Sequence, residues 1–305
     1  MRANQAAHRA STYTPSTAAT EGDVWRWVGL ARPRDQLGLG YGGAVDVVSL
    51  GFRTDLMVRR LAGSIIVVRE RYLLVRTPAN PGFRWGNFLL FPAPPRTGDA
   101  VGWRAAFAAE FPGAGHLTFG VDGTRGDRGD PGELAGLGVT AQVSTVLAAQ
   151  QLSEPAPPKE EMVCRPLVGD NDWAQAAELR FACYGRGDPA HQEFTERQLG
   201  EARELCRRGH GTWFGAFIGD RMRSSCGVIT DGSGLLRFQS VETDPSYRRR
   251  GLASRLVYAA GQYGLAVLGA QTLVIVADPD DVAIGIYRSL GFADAEHQVQ
   301  LEREP

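Results

Sequence analysis

Apolar positions along the chain alternate between short continuous runs and stripes at helical spacing, with turn residues separating them. In the first half the runs SIIVV (64–68), YLLVR (72–76) and NFLLF (87–91) predict strands, and AVDVVSL (44–50) is strand-like as well. DAVGWRAAFAAEF (99–111) sets Val101, Ala105, Phe107 and Phe111 among helix formers, with Asp99 as the expected N-cap. HLTFGVD (116–122) returns to strand character. Strands, a helix and another strand in succession predict an α/β or α+β unit over residues 45–150.

SEPAPPKE (153–160) concentrates prolines and charges, a composition that favours an extended spacer, so residues 151–161 are read as a linker between two domains. The second domain, 162–305, opens with the strand MVCRP. The helix DNDWAQAAELRFAC follows, with Asp170 or Asn171 as cap and Trp173, Ala177 and Leu179 on its buried side. Another helix, about 189–208, carries Phe194, Leu199, Ala202 and Leu205 and stops at Gly209. TWFGAFIG, RMRSSCGVIT and LLRFQSVET are joined by Gly-Asp and Asp-Gly-Ser-Gly turns and predict an antiparallel meander. A helix over 251–267, the strand TLVIVAD, the helix VAIGIYRSL and a strand around HQVQLER complete the order.

Composition narrows the class. A chain of 305 residues is long for one core, which agrees with two domains. With 33 basic and 34 acidic residues the formal charge is −1, so no overall field draws nucleic acid or an anionic membrane. Residues 1–24 are polar without periodicity and are expected to be a disordered tail; they lack the apolar core of a signal peptide, so export by that route is not expected, and four cysteines read as reduced structural thiols point to the cytoplasm. Cys164, Cys183, Cys206 and Cys226 form no C-x-x-C pair and no cluster with histidines, so neither a metal site nor a disulfide framework is expected. GLGYGG (38–43) satisfies G-x-G-x-x-G but lacks the strand before and the helix after that a dinucleotide fold needs, and is read as a flexible loop.

The chemistry concentrates in VETDPSYRRRGLAS (241–254), which joins a strand end to a helix start. The first amides of a helix have no intrahelical acceptors and, with the helix dipole, attract anions. Gly251 and Ala253 keep that first turn open to a ligand, and Arg248, Arg249 and Arg250 add cationic groups at its rim. Taken by themselves the three arginines would equally suit a solvated turn; their placement between strand and helix favours the anion site.

Arg248-x-x-Gly251-x-Ala253 resembles the [RQ]-x-x-G-x-[GA] pyrophosphate loop of the GNAT acyltransferase superfamily. Downstream, Asp280, Ala283, Tyr287, Gly291 and Phe292 resemble its second signature, N-x-x-A-x-x-x-Y-x-x-x-G-F, with Asp280 in place of the usual Asn. The resemblance implies a GNAT fold for the C-terminal half, acetyl-CoA as cosubstrate, an amine acceptor attacking the thioester directly, and no metal. It implies main-chain contacts to the acyl and pantetheine groups from Val241, Glu242 and Thr243. It assigns the pyrophosphate to Arg248, Arg249, Arg250, Gly251, Leu252, Ala253 and Ser254, a pantetheine contact to Asp280, and the role of general acid to Tyr287. Glu242 is the candidate base by position, with a salt bridge to an arginine or a water chain as rivals. His191 and His210 flank the region that shapes acceptor pockets, where surface and capping roles outweigh a functional one. A monomer or homodimer is expected, and the alternative function is a non-catalytic CoA-binding regulatory module.

A displacement of 153 residues carries Pro92 onto Pro245, Gly98 onto Gly251 and Leu137-Gly138-Val139 onto Leu290-Gly291-Phe292. This thin repeat predicts that the first half is a degenerate GNAT-like α/β domain, giving a tandem arrangement with the C-terminal copy catalytic. Its loop PAPPRTGDA (92–100) replaces arginines with prolines, which lack amide donors, so diphosphate binding there is expected to be weak or absent. Phe83, Trp85, Phe88 and Phe91 are core candidates that could also line an acceptor pocket.

Overall fold

The computed structural model describes residues 47–303; the polar tail 1–24 and the glycine segment 38–43 lie outside them. Helix α1 (Leu50–Leu61) begins at Ser49, whose hydroxyl accepts the Phe52 N–H. This overturns the strand-like reading over 47–50, because Leu50 is already helical and 47–49 make no ladder; 44–46 lie outside the described residues. The cause is distant in sequence. The Asp122 carboxylate accepts the N–H groups of Val48 (2.8 Å) and Ser49 (3.0 Å), and Glu296 accepts those of Leu50 (2.6 Å) and Gly51 (3.3 Å). Two carboxylates thus satisfy the first amides of a helix that local propensity leaves undecided.

Strands β1 (Ile65–Val68), β2 (Leu73–Arg76) and β3 (Phe88–Phe91) follow, then helix α2 (Asp99–Glu110), β4 (Leu117–Val121), helix α3 (Pro131–Leu137) and β5 (Thr140–Ala149). Trp103 of α2 stacks on Phe91 at 3.7 Å between ring centroids, and Phe107 and Phe119 close the same cluster. Phe88 and Phe91 are core, Trp85 packs at the edge of it, and Phe83 faces Phe194 across the two halves. Gly98, not Asp99, is the N-cap of α2; Asp99 turns back to accept the Arg96 N–H.

The second half contains β6 (Val163–Pro166), α4 (Gly169–Tyr184), α5 (Pro189–Arg207), β7 (Gly211–Ile218), β8 (Arg221–Ile229) and β9 (Leu235–Thr243). Helix α6 (Leu252–Ala266), β10 (Thr272–Ala277), α7 (Ala283–Ser289) and β11 (Ala293–Arg303) complete it. The expected antiparallel meander is β7-β8-β9. Helix α4 is capped by neither Asp170 nor Asn171: Val168 is its N-cap, and Asp172 accepts the Val168 N–H while pairing with Arg165. It buries Ala176, Leu179, Arg180 and Phe181, with Trp173 and Ala177 half-buried beside them. No helix among the described residues is long and apolar enough to cross a membrane.

All described strands form a single sheet in the order β1-β2-β3-β4-β11-β5-β10-β9-β8-β7-β6. Its centre is an exchange. The last strand of the chain, β11, lies between β4 and β5, and the last strand of the first half, β5, lies between β11 and β10. The repeat runs through this arrangement. Displacing β5 by 153 residues lands on 293–302, inside β11, and the parallel pair β3-β4 has its counterpart in β9-β10. Gly98 and Gly251 are both left-handed N-caps, with φ of 95° and 88°.

The exchange predicts that the second half cannot fold alone. A fragment of residues 151–305 leaves β10 and β11 with open edges where β5 belongs, and should aggregate or melt without a cooperative transition. Co-expression with residues 1–150 should restore a soluble complex with one. A monomeric 151–305 fragment with a cooperative melt would contradict this.

Candidate functional site

Parallel pairing between β9 and β10 covers only Leu235–Thr272, Leu236–Leu273 and Arg237–Val274. Beyond that point the strands diverge. On its other side β9 carries a bulge: Ser225 pairs with Glu242 and Gly227 with Gln239, so Ser240 and Val241 together oppose the single residue Cys226. Ser240 has φ of 48°, a left-handed conformation rare outside glycine. An extra residue on one strand sharpens the local twist, which turns the end of β9 away from β10 and leaves its main chain free on that side.

The chain leaves β9 through a single helical turn, Pro245–Tyr247, set by Asp244, whose carboxylate accepts the Ser246 N–H at 2.9 Å and pairs with Arg223. Arg249 (φ 59°) and Gly251 (φ 88°) then bend the backbone into α6. No side chain caps α6. The amides of its first turn face a cavity of about 660 Å3 that also reaches Val241, Glu242 and Thr243.

Most residues singled out from the sequence meet in this cavity: Arg248, Arg249, Gly251, Leu252, Ala253, Ser254 and Tyr287 join the three strand residues in its wall. Two do not. Arg250 turns away to pair with Glu160 and to donate to the Ser246 carbonyl (2.9 Å). Asp280 lies outside the wall with its N–H on Asp278, and its neighbours Asp281 and Val282 line the cavity instead. Cys183 and Tyr184, at the end of α4, complete the wall and carry no local sequence signal for it. His191 and His210 are not part of it.

The first half repeats the strand-loop-helix geometry with a different filling. There the Glu133 carboxylate accepts the Gly98 N–H at 2.9 Å and the Ala100 N–H at 2.6 Å, and Asp130 caps the next helix, α3. The anion position at the start of α2 is thus occupied by a carboxylate of the chain itself.

Residues 173–292 match the model of the Acetyltransferase (GNAT) family. This stretch is a GNAT domain. The match supports acyl transfer as the class of reaction. Among solved structures, the chain is similar to a functionally unknown conserved protein from Staphylococcus epidermidis (12% identity, TM-score 0.61), covering 80% of this chain and 95% of that one. It is also similar to a GCN5-related N-acetyltransferase from Kribbella flavida (18% identity, TM-score 0.56, 84% and 96% covered). A third likeness is to a GCN5-related N-acetyltransferase from Sphaerobacter thermophilus (17% identity, TM-score 0.51, 78% and 82% covered). At these identities the likeness is one of fold, and it extends through the first half. No curated protein matches the sequence.

Within the GNAT domain two buried ionisable groups face the cavity. Tyr287 is 5% exposed, and burial pushes its phenol well above the ordinary value, so it keeps its proton throughout the neutral range. Glu242 is 4% exposed; its Oε1 accepts from Arg180 Nε at 2.8 Å, while its main-chain carbonyl accepts the Ser224 hydroxyl at 2.6 Å. Burial raises the Glu242 pKa and Arg180 opposes the rise, leaving it above the usual carboxylate range. Cys183 also lines the cavity, and burial raises its thiol, so it is no ready nucleophile.

The pairing has a thermodynamic signature. Arg180→Leu should cost about 3–5 kcal/mol of stability by leaving Glu242 buried without its cation. The double variant Arg180→Leu/Glu242→Leu should recover most of that loss in thermal or urea unfolding. A single variant as stable as the parent would show that the pair is not coupled.

Proposed function

We propose that the protein is an N-acyltransferase that moves an acetyl group from acetyl-CoA to an amine by direct attack. The observation that carries this reading is the uncapped start of α6 opening onto the same cavity as the unpaired edge of β9. Those amides and the flanking Arg248 and Arg249 suit a diphosphate. The free main chain of Val241 to Thr243 suits an amide-bearing arm laid alongside as an added strand. Glu133 supplies the contrast, since an anion is held by the equivalent amides of the first half.

In the proposed reaction a neutral amine attacks the thioester carbonyl carbon. The bond to nitrogen forms as the carbonyl oxygen takes up charge beside the Val241 N–H, and that charge collapses with cleavage of the carbon–sulfur bond. Two proton transfers complete the balance. The nitrogen loses a proton to Glu242, directly or through water, and Tyr287 gives a proton to the departing thiolate. Glu242 thus receives a proton and Tyr287 parts with one, and exchange with solvent resets both. The raised pKa of Glu242 makes it a stronger base than an exposed carboxylate.

Isothermal titration with acetyl-CoA should give one saturable site on the parent protein, abolished by Gly251→Glu, which puts a side chain and a negative charge at the anion position. A folded parent that does not bind acetyl-CoA would defeat the proposal. In an amine panel read by release of free thiol, Tyr287→Phe and Glu242→Gln should each lower kcat by about 100- to 10,000-fold. Acetyl-CoA affinity should change little in either. Because the working base must be ionised, kcat/KM should fall on the acidic side at a pH above the ordinary glutamate value, and Glu242→Gln should flatten that limb. Binding without thiol release for any amine would instead support a CoA-binding regulatory module.

A further inference from the structure

A second cavity, of about 70 Å3, lies where α5 and β7 meet the bulge of β9, and helix α1 of the first half closes it. Arg59, Arg180, Glu201, Trp213, Gln239 and Ser240 are in its wall. It stands next to the acyl-CoA cavity: Gln239 and Ser240 border one, and Val241 to Thr243 border the other. Arg180 bridges the two, with Nε committed to Glu242.

The wall holds buried donors without acceptors. Arg180 is 8% exposed and its Nη2 has no hydrogen-bond partner; Trp213 is 5% exposed and its indole N–H has none either. Arg59 lies over the Phe83 ring at 4.7 Å and, among the described residues, has no carboxylate within ion-pair distance. Buried N–H groups are normally satisfied, and those left open in one wall mark a place where an acceptor group belongs. Glu201 is the acidic member of the wall; burial raises its pKa, with Arg59 and Arg197 opposing. Arg180 already answers Glu242, while Arg59 has Asp55 and Glu201 nearby, neither of them paired with it. Burial also lowers the Arg59 pKa, the direction expected of a cation held without a close anion.

We propose that this cavity is an anion subsite for the acceptor: it takes a carboxylate carried by the attacking amine, with Arg59, Arg180 and Trp213 as donors. The proposal rests on the acyltransferase reading. A volume of about 70 Å3 gives room for a small head group such as a carboxylate. Planar guanidinium groups suit a carboxylate's paired oxygens. Arg59 comes from α1, so the first half supplies a specificity-determining residue to the GNAT domain.

The test separates binding from turnover. In titrations with and without CoA, N-acetylglycine should bind the parent at least tenfold tighter than N-acetylglycinamide, its uncharged analogue. Arg59→Met should remove that preference, Arg59→Lys should keep part of it, and Trp213→Phe, which retains a ring but no N–H, should reduce it. Equal binding of acid and amide, no binding of the acid, or a preference that survives Arg59→Met overturns the subsite. In parallel, amino acids and their carboxamides serve as acceptors for acetyl-CoA. The kcat/KM ratio of acid to amide should favour the acid in the parent and fall at least tenfold in Arg59→Met, mainly through KM. Release of thiol with both acceptors alike would sink the subsite and leave the acyltransferase reading standing. Carboxylate binding without thiol release would do the reverse.

Discussion

The exchange of β5 and β11 is the constraint on which the rest of the molecule depends. Each half ends in a strand that finishes the sheet of the other, so the first half is built into the architecture of the second. With β5 held against one edge of β10, divergence from β9 can occur only on the opposite edge, and that is where the wedge opens. The same exchange brings α1 onto β9. Arg237, in the last parallel pair before the divergence, donates to Thr54 Oγ1 at 2.8 Å and pairs with Asp55 at 2.9 Å. A helix from the first half therefore pins the strand at the point from which the wedge spreads.

The two copies of the fold differ most at the position they share most closely. Gly98 and Gly251 have nearly the same backbone conformation, and each begins a helix whose first amides lack intrahelical acceptors. In the first copy Glu133 reaches those amides from the next helix, and an internal carboxylate held at hydrogen-bond distance competes with any external anion at a high effective concentration. In the second copy nothing of the chain caps the helix, and the space is a cavity. Loss of amides to proline in PAPPRTGDA, the reason visible in the sequence, is thus only part of why the first site is closed.

What could be read from the sequence was local. The strand-loop-helix around Gly251, the meander before it and the offset of 153 residues all rest on short-range patterns, and the structure contains each of them. The N-terminus of α1 could not be read, because its amides are satisfied by Asp122 and Glu296, more than 70 and more than 240 residues away. Nor could the bulge at Ser240, since neither Gln239 nor Ser240 is a residue that favours left-handed backbone as glycine does. Position along β9 points to Glu242, with a local arginine as its expected rival partner; the actual partner, Arg180, comes from α4 and has no motif to announce it. Spacing along the chain locates groups on a strand or helix, whereas the charge each one meets depends on what packs across it.

The arginine triplet shows the same limit within three residues. Arg248 and Arg249 line the cavity, but Arg250 serves the segment that crosses in front of it. That segment is fastened at several points: the Ser153 N–H to the Leu290 carbonyl (2.9 Å), Glu154 to Arg255 (2.6 Å), and the Lys159 N–H to the Arg250 carbonyl (3.3 Å). Pro158 then sits so near Gly251 that a Cβ there would lie 3.3 Å from its Cα. Glycine at this position therefore answers two demands at once, a left-handed backbone and close passage of the crossing segment. The rim of the cavity at the start of α6 is thus flanked by a stretch of chain that precedes the GNAT domain, and the charge of Arg250 holds that stretch instead of facing the cavity.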